Sequence, residues 1–186
     1  MTERFDENTA IKGETAVRTF RRITVSFAYD ENCPYGKVEE TMNTARLMIT
    51  PLRQEDRESL LRIVKDPLVR AFYLAPEVRT QEEEDALFAR YLRLAQQKNR
   101  MAYGVRLKER LIGVVHDMGV AESSLELGWA FMPAMWNQGY ATEAVRAVMG
   151  EAFRRGFLEI SAGAFEENGV HAQRIQPGHL ILHERN

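Results

Sequence analysis

The 186-residue chain has a single cysteine, Cys33, and lacks both a long apolar run and an excess of basic charge. One cysteine excludes an internal disulfide and any zinc site built on cysteines. A nucleophilic role for Cys33 is disfavoured because the residue lies between Asn32 and Pro34 in a polar, turn-like stretch. No stretch approaches the ~20 apolar residues that cross a bilayer, and residues 1–22 lack the apolar block of a signal peptide. We therefore expect a cytoplasmic protein with no membrane partner.

The balance of charge argues against nucleic acid as the main ligand. Lys and Arg total 25 and Asp and Glu total 27, which gives a net charge of −2. A domain that holds a nucleic-acid backbone usually carries a basic excess. With 45% hydrophobic and 28% charged residues, the composition is that of one ordinary folded domain rather than of a disordered chain.

The first 41 residues differ from the rest and carry the acidic excess. Apolar residues alternate at the strand period of two between Arg21 and Tyr29, and turn-forming residues follow. A single strand cannot stand alone, so it must pair with the main sheet, pair with another subunit or stay loose. We predict a partly flexible N-terminal extension over residues 1–41 and a main domain over residues 42–186.

The main domain begins with a strand that ends near Pro51. The run Gln54-Glu55-Asp56 then opens a helix, and the helix dipole favours its two acidic residues there. Its predicted buried stripe is Leu60, Leu61, Val64 and Leu68. The acidic run 81–85 opens a second helix for the same reason, and we interpret the run as a solvated first turn rather than as a patch for a cationic partner.

The second half of the domain predicts a meander of three strands and one crossover. Residues 101–107 and 111–118 form the predicted hairpin, and residues 125–132 form the third strand. Apolar residues recur at helical spacing over 138–153, and a last strand covers 158–165. The predicted fold is α/β, with a mixed, mostly antiparallel sheet flanked by helices and an atypically short C-terminus.

The segment 133–144 joins a strand directly to the start of the strongest helix. Backbone N–H groups at a helix start have no partner within the helix, and the dipole adds positive charge, so a phosphate can bind there. Gly139 and Ala141 are small enough to let a ligand approach the backbone. A plain strand-to-helix turn remains an equal alternative at this point. No Gly-Lys-Ser/Thr follows, and the double-glycine dinucleotide fingerprint is missing.

Two strings in this region carry a resemblance to a known family. They are Leu125-Glu126-Leu127-Gly128-Trp129-Ala130-Phe131-Met132-Pro133 and Trp136-Asn137-Gln138-Gly139-Tyr140-Ala141-Thr142-Glu143-Ala144. The chain resembles the GNAT superfamily of N-acetyltransferases, in particular its RimJ/RimL-like branch. The segments 42–53 and 66–69 look like the start and the first interhelical turn of such proteins, so the resemblance covers roughly residues 42–168.

The resemblance implies transfer of an acetyl group from acetyl-CoA to a primary amine, with the cofactor between two strands that splay apart. The implied cofactor-binding residues hold the pantetheine arm and the pyrophosphate through main-chain groups, and Asn168 contacts the arm. They are Ala130, Phe131, Met132, Asn137, Gln138, Gly139, Tyr140, Ala141, Thr142 and Asn168. The family usually has Arg or Gln where this chain has Trp136, and for Asn168 a helix N-cap is an equal alternative.

The implied reaction is attack of a neutral amine on a thioester, which needs a base because alkyl amines are mostly protonated at neutral pH. Glu126 is the candidate base, since it shares a strand face with the small residues Gly128 and Ala130 and resembles a glutamate that the family often has there. A surface carboxylate paired with a basic neighbour is the alternative. Asp117 and His116 are weaker candidates for the base.

The C-terminal end departs from the family pattern. His171 lies where the family tends to have a Ser or Tyr that protonates the leaving thiolate, so His171 is a candidate acid. Few residues remain where the family supplies two more strands, and we expect the leader strand or a second subunit to cover that sheet edge. Strand exchange in a homodimer is the version we favour. A metal site of His171, His179 and His183 is disfavoured because no carboxylates lie at fitting positions.

We therefore predict an acetyl-CoA-dependent N-acetyltransferase with no metal, acting on a peptide or protein N-terminus or on another small-molecule amine. The first alternative is a catalytically impaired relative that binds acyl-CoA as a sensor or assembly partner. The second is an interaction module that does not bind CoA.

Overall fold

The strands of this protein differ in their burial, as the computed structural model shows. Residues 102–106 and 111–117 are buried in continuous runs, whereas burial alternates over residues 124–127. The structure describes residues 5–12, 17–26, 41–73, 77–165, 171–172 and 182–183, and the side chains of 41–73 and 77–163. The strands in these ranges are β1 Phe5–Lys12, β2 Val17–Ser26, β3 Met42–Asn43, β4 Leu47–Pro51, β5 Ala102–Leu107, β6 Arg110–Ala121, β7 Ser124–Phe131, β8 Glu159–Phe165, β9 His171–Ala172 and β10 Leu182–His183. The α-helices are α1 Arg57–Lys65, α2 Pro67–Arg70, α3 Gln81–Gln96 and α4 Tyr140–Arg154.

The hydrogen-bonded strands follow the order β1-β2-β8-β7-β6-β5-β4-β3, and β9 pairs with β10 in a separate ladder. The ladders β1–β2, β2–β8, β3–β4, β4–β5 and β5–β6 are antiparallel. β7 and β8 are parallel, from Ser124 opposite Glu159 to Leu127 opposite Ala162, because α4 carries the chain back between them. The predicted α/β fold with a mostly antiparallel sheet and one crossover is confirmed.

The described residues divide into two units. The central unit comprises Glu39–Asp117 and Trp129–Val148, and the terminal unit takes its described residues from Met1–Val38, Met118–Gly128 and Met149–Asn186. The hydrophobic core of the central unit lies between the helices α1 and α3 and the strands β5, β6 and β7. Its fully buried members include Leu60 of α1 and Val114 of β6, both 0% exposed.

The predicted stripe of the first helix is right for Leu60, Leu61 and Val64 and wrong for Leu68, which is 57% exposed. Pro67 has no N–H group and cannot continue α1, so the helix ends at Lys65. The Asp66 carboxylate then accepts the Leu68 N–H at 2.9 Å and starts α2 in a new phase. In this phase Val69, 3% exposed, enters the core instead of Leu68.

A buried ion pair joins the start of the first helical segment to the sheet of the central unit. Arg106 of β5 donates two hydrogen bonds to the Asp56 carboxylate, at 2.6 and 2.7 Å, and one to the Thr50 hydroxyl at 2.9 Å. Asp56 also accepts the Arg53 N–H at 2.8 Å. Because breaking such a pair leaves a buried charge without a partner, it holds β4, β5 and the turn before α1 in one arrangement.

In the terminal unit the leader strand covers the edge of β8. β2 pairs with β8 in the same chain from Phe20 opposite Phe165 to Ser26 opposite Glu159. Of the three alternatives for this strand, the structure therefore shows pairing with the main sheet, and β1 adds a second leader strand that the sequence reading missed. Among the described residues, no helix is long and apolar enough to cross a membrane.

The close contact between Gly113 of β6 and the Phe131 ring of β7 can be tested by substitution. A Cβ atom at this position would lie 2.3 Å from Cδ1 of Phe131, whereas a Cβ at Gly119 of the same strand would meet nothing within 4 Å. We expect Gly113→Ala to lower the free energy of unfolding by about 1–3 kcal/mol, because the Phe131 ring must move. Gly119→Ala is the matched control, and equal urea midpoints for the two variants would contradict this packing.

Candidate functional site

The junction between β7 and α4, residues 132–139, is a short, sharply turned segment. A 3-10 turn, Pro133–Met135, follows β7, and the backbone of Asn137 and Gly139 then takes positive φ angles of 57° and 76°. Glycine adopts this conformation without a steric cost, and asparagine tolerates it. The helix begins at Tyr140 rather than at the predicted Gln138, because a residue with positive φ cannot belong to a right-handed helix.

Side chains of the junction hold it in place. Trp136 Nε1 donates to the Phe131 carbonyl at 2.9 Å, and Gln138 Nε2 donates to the Ala134 carbonyl at 2.8 Å. Trp136 also packs against the core of the central unit. Trp136 thus anchors the turn to the end of β7, which is a structural reason for a tryptophan at this place.

The first turn of α4 presents main-chain donors. The Glu143 N–H donates to the Gly139 carbonyl at 3.1 Å, in the i to i−4 pattern of the helix. The N–H groups of Tyr140, Ala141 and Thr142 come before this bond and have no helical carbonyl to bind. Because the positive end of the helix dipole lies at the same place, the turn is suited to an anion.

Glu143 of α4 ties this turn to the β3–β4 turn, residues 44–46. Its carboxylate accepts the Thr44 hydroxyl at 2.6 Å, the Arg46 N–H at 2.9 Å and Arg46 Nε at 2.7 Å. Burial alone would raise the pKa of Glu143, but the hydrogen bonds from Thr44 and Arg46 and the charge of Arg46 outweigh it and lower the pKa below its usual value. Glu143 is therefore ionised at neutral pH, and both of its carboxylate oxygens accept hydrogen bonds from Thr44 or Arg46.

Arg46 makes two more contacts at the same place. Its Nη1 donates to the Gln138 carbonyl at 2.8 Å, and its guanidinium carbon lies 4.3 Å from the centre of the Tyr140 ring. A Cβ at Gly139 would lie 3.4 Å from Nη2 of Arg46, which is ordinary van der Waals contact, so glycine is favoured here by its positive φ rather than by the guanidinium. Arg46 therefore contacts the last residues of the junction and the first residue of the helix together.

A cavity of about 500 Å³ opens beside the first turns of α4. Its lining residues all belong to the central unit and are Thr44, Gly139, Thr142, Glu143, Arg146 and Ala147. Those from α4 share one helix face, at spacings of three and four residues. The cavity thus combines a helix start, a hydroxyl group of Thr142 and the exposed cation Arg146, which is the chemistry that a phosphate group requires.

Glu126 lies on β7 in the terminal unit and is half-buried. Its neighbours Leu125 and Leu127 are 1% and 2% exposed and face the core, so the Glu126 side chain projects from the opposite face of the strand. In the parallel ladder Glu126 stands opposite Ser161. Burial alternates as predicted from Ser124 to Leu127, but the alternation breaks farther on, where Trp129 is half-buried and Ala130 is 4% exposed. The role of Glu126 stays a prediction.

His116 of β6 is buried in a polar cluster of the central unit. Its Nδ1 donates to the Asp117 carbonyl at 2.8 Å, which leaves Nε2 to accept the Tyr73 hydroxyl. The Tyr91 hydroxyl lies 2.8 Å from the Tyr73 hydroxyl. Burial, as the main cause, lowers the pKa of His116 to about 4, so the imidazole is neutral and a weak base at neutral pH.

Asp117, the other weaker candidate for a base, is 0% exposed. Its carboxylate accepts the Met101 N–H at 2.6 Å and Arg100 Nε at 2.7 Å. An ion pair and a backbone bond thus occupy this carboxylate, and it anchors the strand start at Ala102 rather than facing a substrate.

A family model for the acetyltransferase (GNAT) domain matches residues 46–174, which is more than half of the chain. This chain belongs to the GNAT acetyltransferase family. The family expected from the two sequence strings is therefore confirmed.

Known proteins agree with this membership. The chain is 23% identical over 132 residues to an uncharacterized N-acetyltransferase, YoaA, of Bacillus subtilis strain 168, a match that covers 68% of this chain and 75% of the relative. A GNAT-family acetyltransferase structure from Bacillus anthracis matches with a TM-score of 0.50 at 24% identity, over 61% of this chain and about two thirds, 66%, of that one. The structure of RimL, a ribosomal L7/L12 alpha-N-protein acetyltransferase, gives a TM-score of 0.52 at 14% identity, over 81% and 73%. The two structures support the fold alone.

The structure of this GNAT chain changes one predicted contact on β7. The Met132 N–H donates to the Ile112 carbonyl at 2.9 Å, and the Met132 carbonyl accepts the Met135 N–H at 2.8 Å. The Met132 N–H is therefore not available to a cofactor, because β6 already uses it, whereas the Met132 carbonyl retains a second lone pair and its contact with a cofactor stays a prediction. Strand alternation turns the Phe131 N–H to the opposite side of β7.

For two of the predicted site residues, Asn168 and His171, no side-chain contact is described. Asn168 lies outside the described residues, and of His171 the structure describes only its place in β9, opposite His183. The described residues contain no group of three or more His, Cys, Asp or Glu arranged to hold a metal.

The sequence does not single out Thr44 and Arg146, which line the cavity, or Arg46, which contacts Glu143 and Gln138. Thr44 and Arg46 lie in the segment 42–53, for whose side chains the resemblance implies no role. The available signal was a cation in that segment and a carboxylate, Glu143, in the Gly139–Ala144 string. Nothing in their spacing shows that residues 97 positions apart pair.

The neutral His116 predicts a specific dependence of stability on pH. An unfolded histidine has a pKa of about 6.5, whereas in the fold burial and the charges of Arg90 and Arg100 disfavour protonation of His116 and Asp117 favours it. Between pH 6.5 and pH 4 the unfolded chain binds more protons than the folded one, so the free energy of unfolding falls as the pH drops. From pH 7 to pH 5 we expect His116 to account for about 2 kcal/mol of loss.

Urea unfolding of the wild type and of His116→Asn at both pH values measures this contribution. The asparagine retains an N–H donor for the Asp117 carbonyl and removes the titrating ring. We expect a smaller pH dependence for the variant, and equal pH dependence in the two proteins would contradict the buried neutral histidine.

Proposed function

We propose that this chain is an N-acetyltransferase that transfers the acetyl group of acetyl-CoA to a primary amine, and that the amine is the N-terminus of a peptide or protein. The observation that carries the proposal is the cavity at the first turns of α4, which lies within the part of the chain that matches the GNAT domain. Proteins of this family generally use acetyl-CoA.

The residues at the cavity fit the pyrophosphate of coenzyme A. The main-chain N–H groups between Asn137 and Thr142 would bind the phosphate oxygens, and the positive end of α4 favours their charge. Arg146 adds a cation at the cavity wall. Gly139 is exposed and has no side chain that would hold a ligand away from the backbone. When bound, acetyl-CoA supplies the acetyl group as an activated thioester.

The end of β7 would hold the pantetheine arm through its main chain. The parallel ladder with β8 extends to Leu127, and β7 continues to Phe131. In this stretch Phe131 is the candidate donor, because its N–H points away from β6. The side chain of Ala130 is buried in the hydrophobic core, so only its backbone remains a proposed contact. Asn168 and His171 remain proposed contacts of the arm and of the leaving thiolate.

Glu126 would act as the base. An attacking amine must lose a proton, and the half-buried Glu126 carboxylate can accept it, directly or through a water molecule. Gly128 follows two residues later on the same face and leaves space for an acceptor beside the carboxylate. The buried groups His116 and Asp117 are less suited, since both already bind neighbouring protein groups.

The acceptor is proposed from the structural relatives. RimL is described as an alpha-N-protein acetyltransferase of ribosomal L7/L12, and the match to it covers 81% of this chain. We propose that the chain belongs to the RimJ/RimL-like branch, as its sequence strings suggest, and that its acceptor is a peptide N-terminus rather than another small amine. The expected exchange of the leader strand in a homodimer is not needed to cover the edge of β8, because β2 pairs with β8 within one chain.

Replacement of Glu126 tests the base. We expect Glu126→Gln to lower turnover at least about tenfold at neutral pH, because the amide cannot accept the proton, with little change in the affinity for acetyl-CoA. Glu109→Gln, in the exposed turn between β5 and β6, removes the same charge elsewhere and should leave turnover unchanged. Unchanged turnover of Glu126→Gln from pH 6 to pH 9 would exclude Glu126 from the mechanism.

A thiol-release assay with acetyl-CoA tests the reaction and the acceptor. We expect release of free CoA to increase when a peptide with an unmodified N-terminus is added, and not when the same peptide carries an N-terminal acetyl group. If free CoA were released with other amines but with neither peptide, the proposed peptide acceptor would be contradicted, while the proposal of an acetyltransferase would stand.

Calorimetry with acetyl-CoA separates the remaining alternatives. Binding without thiol release for any amine would favour the catalytically impaired sensor. The absence of binding would favour the interaction module and contradict the proposed function.

A further inference from the structure

The cavity that would receive phosphate groups also contains a carboxylate. Glu143 lines it from the first turn of α4, together with Arg146 one helical turn later. The pKa of Glu143 is lowered, so this side chain carries a full negative charge at neutral pH. A bare carboxylate there would repel a phosphate and would compete with it for the positive end of the helix.

Arg46 removes this conflict by its contacts with Glu143. Its Nε lies 2.7 Å from one carboxylate oxygen, while its backbone N–H and the Thr44 hydroxyl bind the other at 2.9 and 2.6 Å. Both oxygens are thereby directed toward the β3–β4 turn. The charge of the guanidinium cancels that of the carboxylate at the cavity wall.

The second contact of Arg46 acts on the junction. Its Nη1 binds the Gln138 carbonyl at 2.8 Å. Because the C=O of Gln138 and the N–H of Gly139 belong to one planar peptide and point in opposite directions, this bond also fixes the direction of the Gly139 N–H group. The stacking of the guanidinium on the Tyr140 ring, at 4.3 Å, restricts its movement further.

We propose that Arg46 is a positioning residue for recognition of the coenzyme A phosphates and acts through Glu143 and the Gln138 peptide. It cancels a repulsive carboxylate and orients a backbone donor, so it should affect ligands that carry phosphate and spare those that do not. The inference rests on the proposed function, since the anion concerned is the pyrophosphate of coenzyme A.

Two thioesters and four variants test the inference. CoA binding is measured by calorimetry, and turnover is measured with acetyl-CoA and with S-acetylpantetheine, which has no phosphodiester or pyrophosphate groups. The variants are Arg46→Gln, Glu143→Gln, the double variant and Arg53→Gln. Arg53→Gln is the matched control, because Arg53 is an exposed cation of the same unit whose carboxylate partner, Glu55, is also exposed.

We expect Arg46→Gln to weaken CoA binding and raise the KM for acetyl-CoA by about tenfold, which corresponds to about 1.4 kcal/mol. The value of kcat/KM for S-acetylpantetheine should stay within about twofold of the wild type. The loss in log Kd for CoA should be at most half as large in the double variant as in Arg46→Gln, because the double variant also removes the carboxylate that Arg46→Gln leaves unpaired. Arg53→Gln should match the wild type.

Three results would overturn the inference while leaving the proposed function intact. They are unchanged CoA binding by Arg46→Gln, an equal loss with S-acetylpantetheine, and no recovery in the double variant. The second would indicate a general structural defect, and the third a direct contact between Arg46 and the ligand. A wild-type protein that does not bind CoA would instead contradict the proposed function and the inference together.

Discussion

The pairing of the Glu143 carboxylate with Thr44 and Arg46 is the interaction on which the arrangement of the candidate site depends. The carboxylate receives three donors from Thr44 and Arg46, residues that precede it by 99 and 97 positions. Through them the first turn of α4 is tied to the turn between β3 and β4. Because the same guanidinium holds the Gln138 carbonyl, the junction, the helix start and the cavity wall form one connected piece.

The end of β7 shows how hydrogen-bond requirements shape that piece. The Met132 N–H binds Ile112, the Met132 carbonyl binds Met135, and the Phe131 carbonyl is occupied by the Trp136 indole. A buried backbone group without a partner is costly, so the chain uses each group locally before the helix begins. In consequence, among the described groups at the end of β7, the Phe131 N–H lies on the side away from β6, which is why it is the donor proposed for a cofactor there.

The edge of β8 illustrates a second constraint, since an unpaired strand edge invites association with another chain. In this protein β2 supplies the partner strand, although it precedes β8 by more than a hundred residues. The alternation between Arg21 and Tyr29 predicted a strand, but the alternation does not indicate which edge of the sheet this strand covers. Pairing over seven residue positions decides that question in the structure.

Periodicity in the sequence by itself determined the α/β class, the hairpin of β5 and β6 and the crossover through α4. It also determined a helix start that is suited to a phosphate. All of these depend on residues near one another in the chain. Periodicity failed at Leu68, where Pro67 and Asp66 start a new helix in a different phase. Only the tertiary structure decided the pairing of Arg46 with Glu143, the neutral state of His116 and the engagement of the Met132 backbone. These depend on distances, burial and hydrogen-bond direction between segments far apart in sequence, which residue spacing does not encode.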